Sequence, residues 1–340
     1  MSSIAMFMSG ERLDQEHGML NRLAVGLMND GEQVTRVIPP SSNNIPTDYE
    51  QSVSIIPRIH TQFSFPLLQR KKLLENLCSE LKKQKINSIV CFGADVTKLG
   101  LAIAPLLDIP LYQEVISMRA ARRVKKKSPV TRWFAATPSL EQAIIKRVGE
   151  DRAAFVPLGV ATMPKKVSFS DSQTKCVVVL NASDEPKSTE KILEALKAHP
   201  EIHIFLELDG KKEHKVWSVV EEKNMLDRTT CLQNVASLRS LIVQSDLVIL
   251  PSSHMPLRTV LLEAMESGVP VLATKIEGFD MLIEGETALI VEDSWTEPLR
   301  TILQDDDLGT RLGSAATTLV ATNYASAAQI AALQAAVTPF

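Results

Sequence analysis

Asp246-Leu-Val-Ile-Leu-Pro-Ser-Ser-His-Met-Pro-Leu-Arg-Thr-Val-Leu-Leu-Glu-Ala-Met-Glu-Ser-Gly-Val-Pro-Val-Leu-Ala-Thr274 decides the fold of this chain. The apolar run Leu247–Leu250 stops at Pro251 and reads as a buried strand. A tight loop follows, and a helix beginning near Thr259 stops at Ser267-Gly268. Val269–Ala273 is a second strand. A strand, a helix and a strand in so few residues form a βαβ unit, whose two strands lie parallel.

The same rhythm runs outward in both directions. Toward the N-terminus, strands are predicted at Cys176–Leu180, His203–Leu208 and Thr230–Gln233, with helices at Thr189–Ala198, His214–Lys223 and Ser237–Gln244. Toward the C-terminus come a strand at Ala288–Val291 and helices at Glu297–Leu303, Asp307–Ala321 and Ala325–Ala336. The polar stretch 161–173 interrupts the alternation and reads as a linker. Before it, strands are predicted at Ile4–Met8, Gln33–Ile38, Asn87–Phe92, Pro110–Ile116, Trp133–Ala136 and Ala154–Pro157. Helices at Gly18–Asn29, Leu67–Lys83, Lys98–Leu107 and Ser139–Val148 separate them. The expected architecture is α/β: two doubly wound domains, 1–160 and 174–324, facing a central cleft, with 325–340 crossing back to the first. In such sheets a ligand binds at the strand carboxyl ends.

Composition supports a globular chain. Of 340 residues, 45% are hydrophobic and 23% charged, which excludes collagen-like, low-complexity and disulfide-framework classes. No apolar run approaches the ~20 residues of a membrane-spanning helix. The opening residues lack the basic segment of a secretory signal, and Cys78, Cys91, Cys176 and Cys231 form no close pair. A reducing, cytoplasmic setting is the expectation. Net charge is −3, but residues 1–160 carry 21 Lys and Arg against 15 Asp and Glu, whereas the remainder carry 16 against 25. The first domain is thus the better suited to an anionic partner.

The chemistry-bearing motifs are few. GxGxxG after a first strand, GxxxxGK[ST] and GxSxG are all missing. Asp305-Asp306-Asp307 reads as a helix start, with Asp307 as its cap, rather than a metal cluster; no metal and no cofactor is expected. At the helix near Thr259, backbone N–H groups could hold a diphosphate, and Glu263 could reach ribose hydroxyls. In the plainer reading Thr259 caps the helix and Glu263 is a solvated first-turn acid.

Pro251, Ser252, Glu263, Ala264, Gly268, Pro270 and Val271 fall in the pattern P-S-x-x-E-G-F-G-x-x-x-x-E-A-x-x-x-G-x-P-V. The stretch resembles the retaining, nucleotide-sugar-dependent glycosyltransferases of family 4, which have the GT-B fold. Asp30-Gly-Glu-Gln-Val34, Leu107-Asp-Ile-Pro110 and Phe155-Val-Pro-Leu-Gly159 resemble looser marks of the same family. The resemblance implies metal-independent glycosyl transfer from a UDP- or GDP-linked sugar, with Lys187, Thr259, Val260 and Glu263 on the donor. It also exposes losses: the family's first Glu falls on Met255, a Gly on Arg258 and an Arg on Ala182. Each missing contact to developing charge is worth about 10²–10³ in rate. His254 and Arg258 are therefore candidates for a substitute catalytic role, against the plainer reading of two solvated loop residues.

Two further functional classes follow from those losses. One is a catalytically inactive chain of the same fold that binds a nucleotide, glycan or protein partner. The other is a sugar epimerase, for which the sequence offers no acid/base carboxylates. A basic cluster at 119–132, including Arg122, Arg123, Lys125, Lys126 and Lys127, suits an anionic membrane surface, placing the protein peripherally at its inner face, or an acidic acceptor. It lacks the interleaved aromatics of a nucleic-acid site, and its plainer reading is a mobile solvated loop.

Overall fold

The computed structural model describes residues 2–40, 55–63, 70–162, 175–208, 212–233 and 235–337. The proposed linker and the first residues of the predicted Leu67–Lys83 helix lie mostly outside this set. The chain divides into two units, Met1–Gly159 with Ser326–Phe340, and Val160–Ala325.

In the first unit, β1 (Ser3–Met8), α1 (Gly10–Asn29), β2 (Gln33–Ile38), β3 (Arg58–His60), α2 (Arg70–Lys83), β4 (Ser88–Phe92) and α3 (Ala94–Leu107) follow one another. Next are β5 (Leu111–Val115), α4 (Met118–Ala121), β6 (Arg132–Ala135), α5 (Pro138–Val148) and β7 (Ala153–Phe155). Among the described residues the sheet order is β3-β2-β1-β4-β5-β6-β7, and every pairing is parallel. β1 is buried along its whole length, as a central parallel strand covered on both faces must be. The chain turns from β2 on one side of β1 to β4 on the other, so the switch point lies between β1 and β4.

α1 starts at Gly10, well ahead of the predicted Gly18. Ser9 caps it by accepting from the Arg12 amide at 3.1 Å, while its own N–H donates to the Phe92 carbonyl at 3.0 Å. The apolar spacing missed this first part because Arg12, Glu16 and His17 are buried there in place of apolar residues. The helix is kinked at Glu16 (φ −132°, ψ 19°).

In the second unit the order is β8 (Cys176–Val179), α6 (Pro186–Leu196), β9 (His203–Glu207), α7 (Glu213–Glu222), β10 (Thr229–Leu232) and α8 (Val235–Ile242). Then come β11 (Leu247–Leu250), α9 (Thr259–Glu266), β12 (Val271–Thr274), β13 (Leu289–Val291), α10 (Thr296–Gln304) and α11 (Asp306–Asn323). Its described strands pair in parallel in the order β10-β9-β8-β11-β12-β13, with the switch point between β8 and β11. The last helix, α12 (Ser326–Val337), packs on α1 within the first unit.

Every residue of α9 is buried. Pro186 at the start of α6 brings that helix forward of the predicted Thr189, so Lys187 sits in its first turn. The cap of α11 is Asp305 and not Asp307: its carboxylate accepts from the Leu308 amide at 2.8 Å, and Asp306 pairs with Lys175. The cysteines are free, Cys78 and Cys91 buried, Cys176 and Cys231 half-buried. Burial pushes the Cys231 thiol up to about 11.

α11 lies close enough to α9 that backbone meets backbone. A Cβ added at Gly313 would stand 2.1 Å from the Gly268 carbonyl oxygen, whereas one at Gly309, a turn earlier, would meet nothing nearer than Pro270 at 3.8 Å. Gly313→Ala should therefore lower unfolding free energy by about 1–3 kcal/mol. Gly309→Ala should be neutral or stabilise by up to about 1 kcal/mol, as Ala exceeds Gly in helix propensity. Urea denaturation of the pair checks this; equal effects would mean that α11 does not approach α9 this closely.

Candidate functional site

The carboxyl ends of β8, β9 and β11 carry the charged residues that the sequence singled out, together with others that it did not. After β8 the chain turns at Asn181 in the left-handed region (φ 51°), which Asn tolerates better than most residues. The Asn181 amide donates to Glu207 Oε2 at 2.9 Å at the end of β9. Thr189 Oγ1 donates to the Ala182 carbonyl at 2.7 Å and ties this turn to α6.

Arg258 is the centre of the arrangement. It precedes α9 with extended backbone (φ −127°, ψ 147°), and its side chain is only 2% exposed. Nη1 donates to Glu207 Oε1 at 2.8 Å and Oε2 at 2.9 Å, and reaches Asn181 Oδ1 at 3.3 Å. The solvated loop residue expected at this position is thus corrected: burial of a guanidinium requires a partner, and Glu207, which no sequence motif singled out, provides it. His254 remains exposed, its amide donating to Ser252 Oγ at 3.3 Å. Met255 and Ala182, at the two lost charges, are buried.

Thr259 is the first residue of α9 and does not cap it; Arg258 occupies that position without a side-chain cap bond. Thr259 and Glu263, one turn apart, face Arg239 of α8. Arg239 Nη2 donates to Thr259 Oγ1 at 2.9 Å, and Nη1 is ion-paired with Glu263 Oε2. Glu263 is therefore a buried, oriented carboxylate, which corrects its reading as a solvated acid. Val260 is fully buried. Lys187 is exposed on the first turn of α6, whose start likewise lacks a side-chain cap bond. Ser253 Oγ donates to Glu185 at 3.5 Å, linking the loop after β11 to that helix start.

Two uncapped helix starts carry partial positive charge. Arg258, Lys187 and Arg239 add three cationic side chains near these helix starts. Glu207 and Glu263 each face one of those cations.

The first unit holds a second charged group that sequence reasoning missed. Arg12 Nη2 donates to Glu114 Oε1 at 2.8 Å, and Nη1 lies 3.6 Å from Glu16 Oε1, all three side chains being buried at the carboxyl ends of β1 and β5. Burial raises the Glu114 carboxyl above the ordinary carboxylate range, with Arg12 opposing. One signal was available: the charged run Glu11, Arg12, Asp14 and Glu16 directly after a first strand whose faces must both be covered.

The backbone of the basic cluster accepts hydrogen bonds from two arginines outside it. Arg152 donates through Nη1 to the Lys126 carbonyl at 2.6 Å and through Nη2 to that of Ser128 at 2.7 Å; Arg147 Nε donates to Val124 at 2.9 Å. These bonds present Arg122, Arg123, Lys125, Lys126 and Lys127 to solvent, while Trp133 is buried in β6.

Residues 175–305 match the family model Glycosyl transferases group 1. The chain is 27% identical over 133 residues to the lipopolysaccharide core biosynthesis glycosyltransferase LpsE of Rhizobium meliloti, a match covering 38% of this chain and 39% of the relative. It is 23% identical over 256 residues to N-acetyl-alpha-D-glucosaminyl L-malate synthase of Bacillus anthracis, covering 71% and 65% respectively. The aligned part thus spans less than two thirds of either relative. Among solved structures, Anabaena HepE in complex with UDP and glucose superposes with a TM-score of 0.79 at 15% identity, covering both chains fully. Sucrose-phosphate synthase from Thermosynechococcus elongatus gives 0.77 at 16% identity, covering 98% of each. The fold is GT-B, two Rossmann-like units with parallel sheets. Among the described residues no helix is long and apolar enough to cross a membrane.

Proposed function

We propose that this protein is a glycosyltransferase that moves a hexose from a nucleotide sugar to an acceptor, the donor being held by the second unit. The observation that carries this reading is the convergence of Lys187, Glu263 and two uncapped helix starts at one sheet edge, inside the stretch that matches the glycosyl transferase model. HepE, with UDP and with glucose, and the glycosyltransferase LpsE support the same class.

The backbone N–H groups at Thr259 and Val260 and the Lys187 ammonium hold the diphosphate in this account, since helix starts and cations favour phosphate. Glu263 accepts hydrogen bonds from the ribose hydroxyls, its orientation set by Arg239. The protein's own positive charge serves where a divalent ion would otherwise act, so donor binding is metal-independent. UDP is the first nucleotide to test and GDP the second. Retention of anomeric configuration follows from the family resemblance. The competing reading is a binder without turnover, favoured by the uncharged Ala182 and Met255.

UDP or GDP should raise the melting temperature in EDTA, because a ligand that binds only the folded state stabilises it by about 2.7 kcal/mol at one hundred times its Kd. Glu263→Ala should abolish most of that shift. If neither nucleotide shifts the transition, the donor site is not where this reading puts it.

The exposed cations Arg122, Arg123, Lys125, Lys126 and Lys127 give the first unit an anion-facing surface, suited to an anionic membrane or an acidic acceptor. Attraction of about 1 kcal/mol per cation at an anionic membrane makes the cluster sufficient for peripheral attachment. Sedimentation with vesicles containing anionic lipid should decrease with salt and after replacement of Lys125–Lys127 by Gln. Failure of the native protein to sediment would leave the cluster a solvated surface.

A further inference from the structure

A guanidinium has more than one binding edge, and Arg258 uses only part of its own. Nη1 is committed to Glu207 and Asn181. Nε and Nη2 are buried, and among the described residues neither has a hydrogen-bond partner. These two atoms form one edge of the guanidinium, a fork of parallel N–H donors that matches two oxygens of a phosphate or carboxylate. Buried polar groups are nearly always bonded, so two such donors on one cation need an explanation.

The surroundings specify the kind of acceptor. Glu207 already accepts from the Asn181 amide and from Nη1, and its backbone carbonyl accepts from the Ala182 amide at 3.0 Å. Among the described residues the carboxylate bonded to Arg258 is that of Glu207, and it engages Nη1 rather than the fork. Arg258 also immediately precedes α9, whose start has no side-chain cap bond. A fixed cation, a helix start and two unused parallel donors together favour an oxyanion with paired terminal oxygens.

We propose that the Nε–Nη2 edge of Arg258 is a clamp for a phosphoryl group, with Glu207 and Asn181 as positioning residues that orient it. The proposal rests on the donor reading, in which the clamp takes one phosphate of the nucleoside diphosphate. It assigns Arg258 a binding role that a merely solvated side chain would not have. Glu207 acts through Arg258: it holds the guanidinium by one nitrogen, leaving the opposite edge for the ligand.

Calorimetric titration with uridine, UDP and inorganic pyrophosphate tests this with the full chain. Native protein should bind UDP far more tightly than uridine. Arg258→Gln should weaken UDP by about ten- to hundredfold, the loss expected for one charge-assisted contact, and leave uridine unchanged. Arg258→Lys, which keeps a charge for Glu207 but has no fork, should also weaken UDP by at least about tenfold while melting near the native temperature. It serves where the Gln variant fails to fold. Glu207→Gln should reduce UDP affinity without changing that for uridine; equal losses for both ligands would make Glu207 a structural residue only.

Native-like UDP affinity in a folded Arg258→Lys protein overturns the clamp while leaving the donor reading intact. No UDP binding by the native chain removes the donor reading, and pyrophosphate then decides: binding that requires Arg258 upholds the clamp, and its absence overturns it.

Discussion

Parallel strands buried on both faces have no free surface except at their ends, and this constraint organises the molecule. β1 and β11 are buried along their whole length, so the faces of these central strands are closed to a ligand. The connections at the carboxyl edge are where backbone N–H groups, turns and charged side chains can meet. In the second unit that edge contains Asn181, Glu207, Arg258 and the start of α9. In the first it contains Ser9, Gly93, Arg12 and Glu114. Gly93 shows how closely the two connections approach there: a Cβ on it would come within 2.3 Å of Ser9 Oγ.

Within this frame the charges are arranged by desolvation. A buried ion pair is at best weakly stabilising by itself, because the cost of removing both charges from water cancels much of their attraction. Arg258–Glu207 and Arg239–Glu263 are therefore better understood as orientation devices than as sources of stability. Each leaves a charged group directed and desolvated at the edge where a ligand would arrive. An electrostatic contact made in such a place is worth far more than the same contact in water. Charge absent from Ala182 is present on the loop that precedes α9, at Arg258.

The sequence made the sheets legible and left the charges illegible. Leu247–Leu250 and Ile4–Met8 are continuous apolar runs, and such runs have few readings other than buried strands. The start of α1 was hidden because Arg12, Glu16 and His17 occupy positions that the apolar pattern reserves for the core. Periodicity registers hydrophobicity, so a helix face buried through ion pairs is invisible to it. Pro186 is a helix-start signal that the apolar spacing of Thr189 onward outweighed. Arg258 and Glu207 are 51 residues apart in sequence, and no local pattern links them. Likewise, Arg239 carries no mark that would assign it to Glu263. Motif resemblance pointed to this sheet edge, but side-chain pairing across strands had to come from the fold.

The central claim is that the second unit handles a nucleotide sugar chemically and does not only bind it. Its most direct test is release of free nucleotide by the native protein from a panel of UDP- and GDP-linked hexoses, measured with EDTA present. The account predicts release from at least one donor, faster when a suitable hydroxyl-bearing acceptor is added. Tight nucleotide binding with no release from any donor, with or without acceptors, would contradict it and leave a GT-B chain that binds its ligand without turning it over.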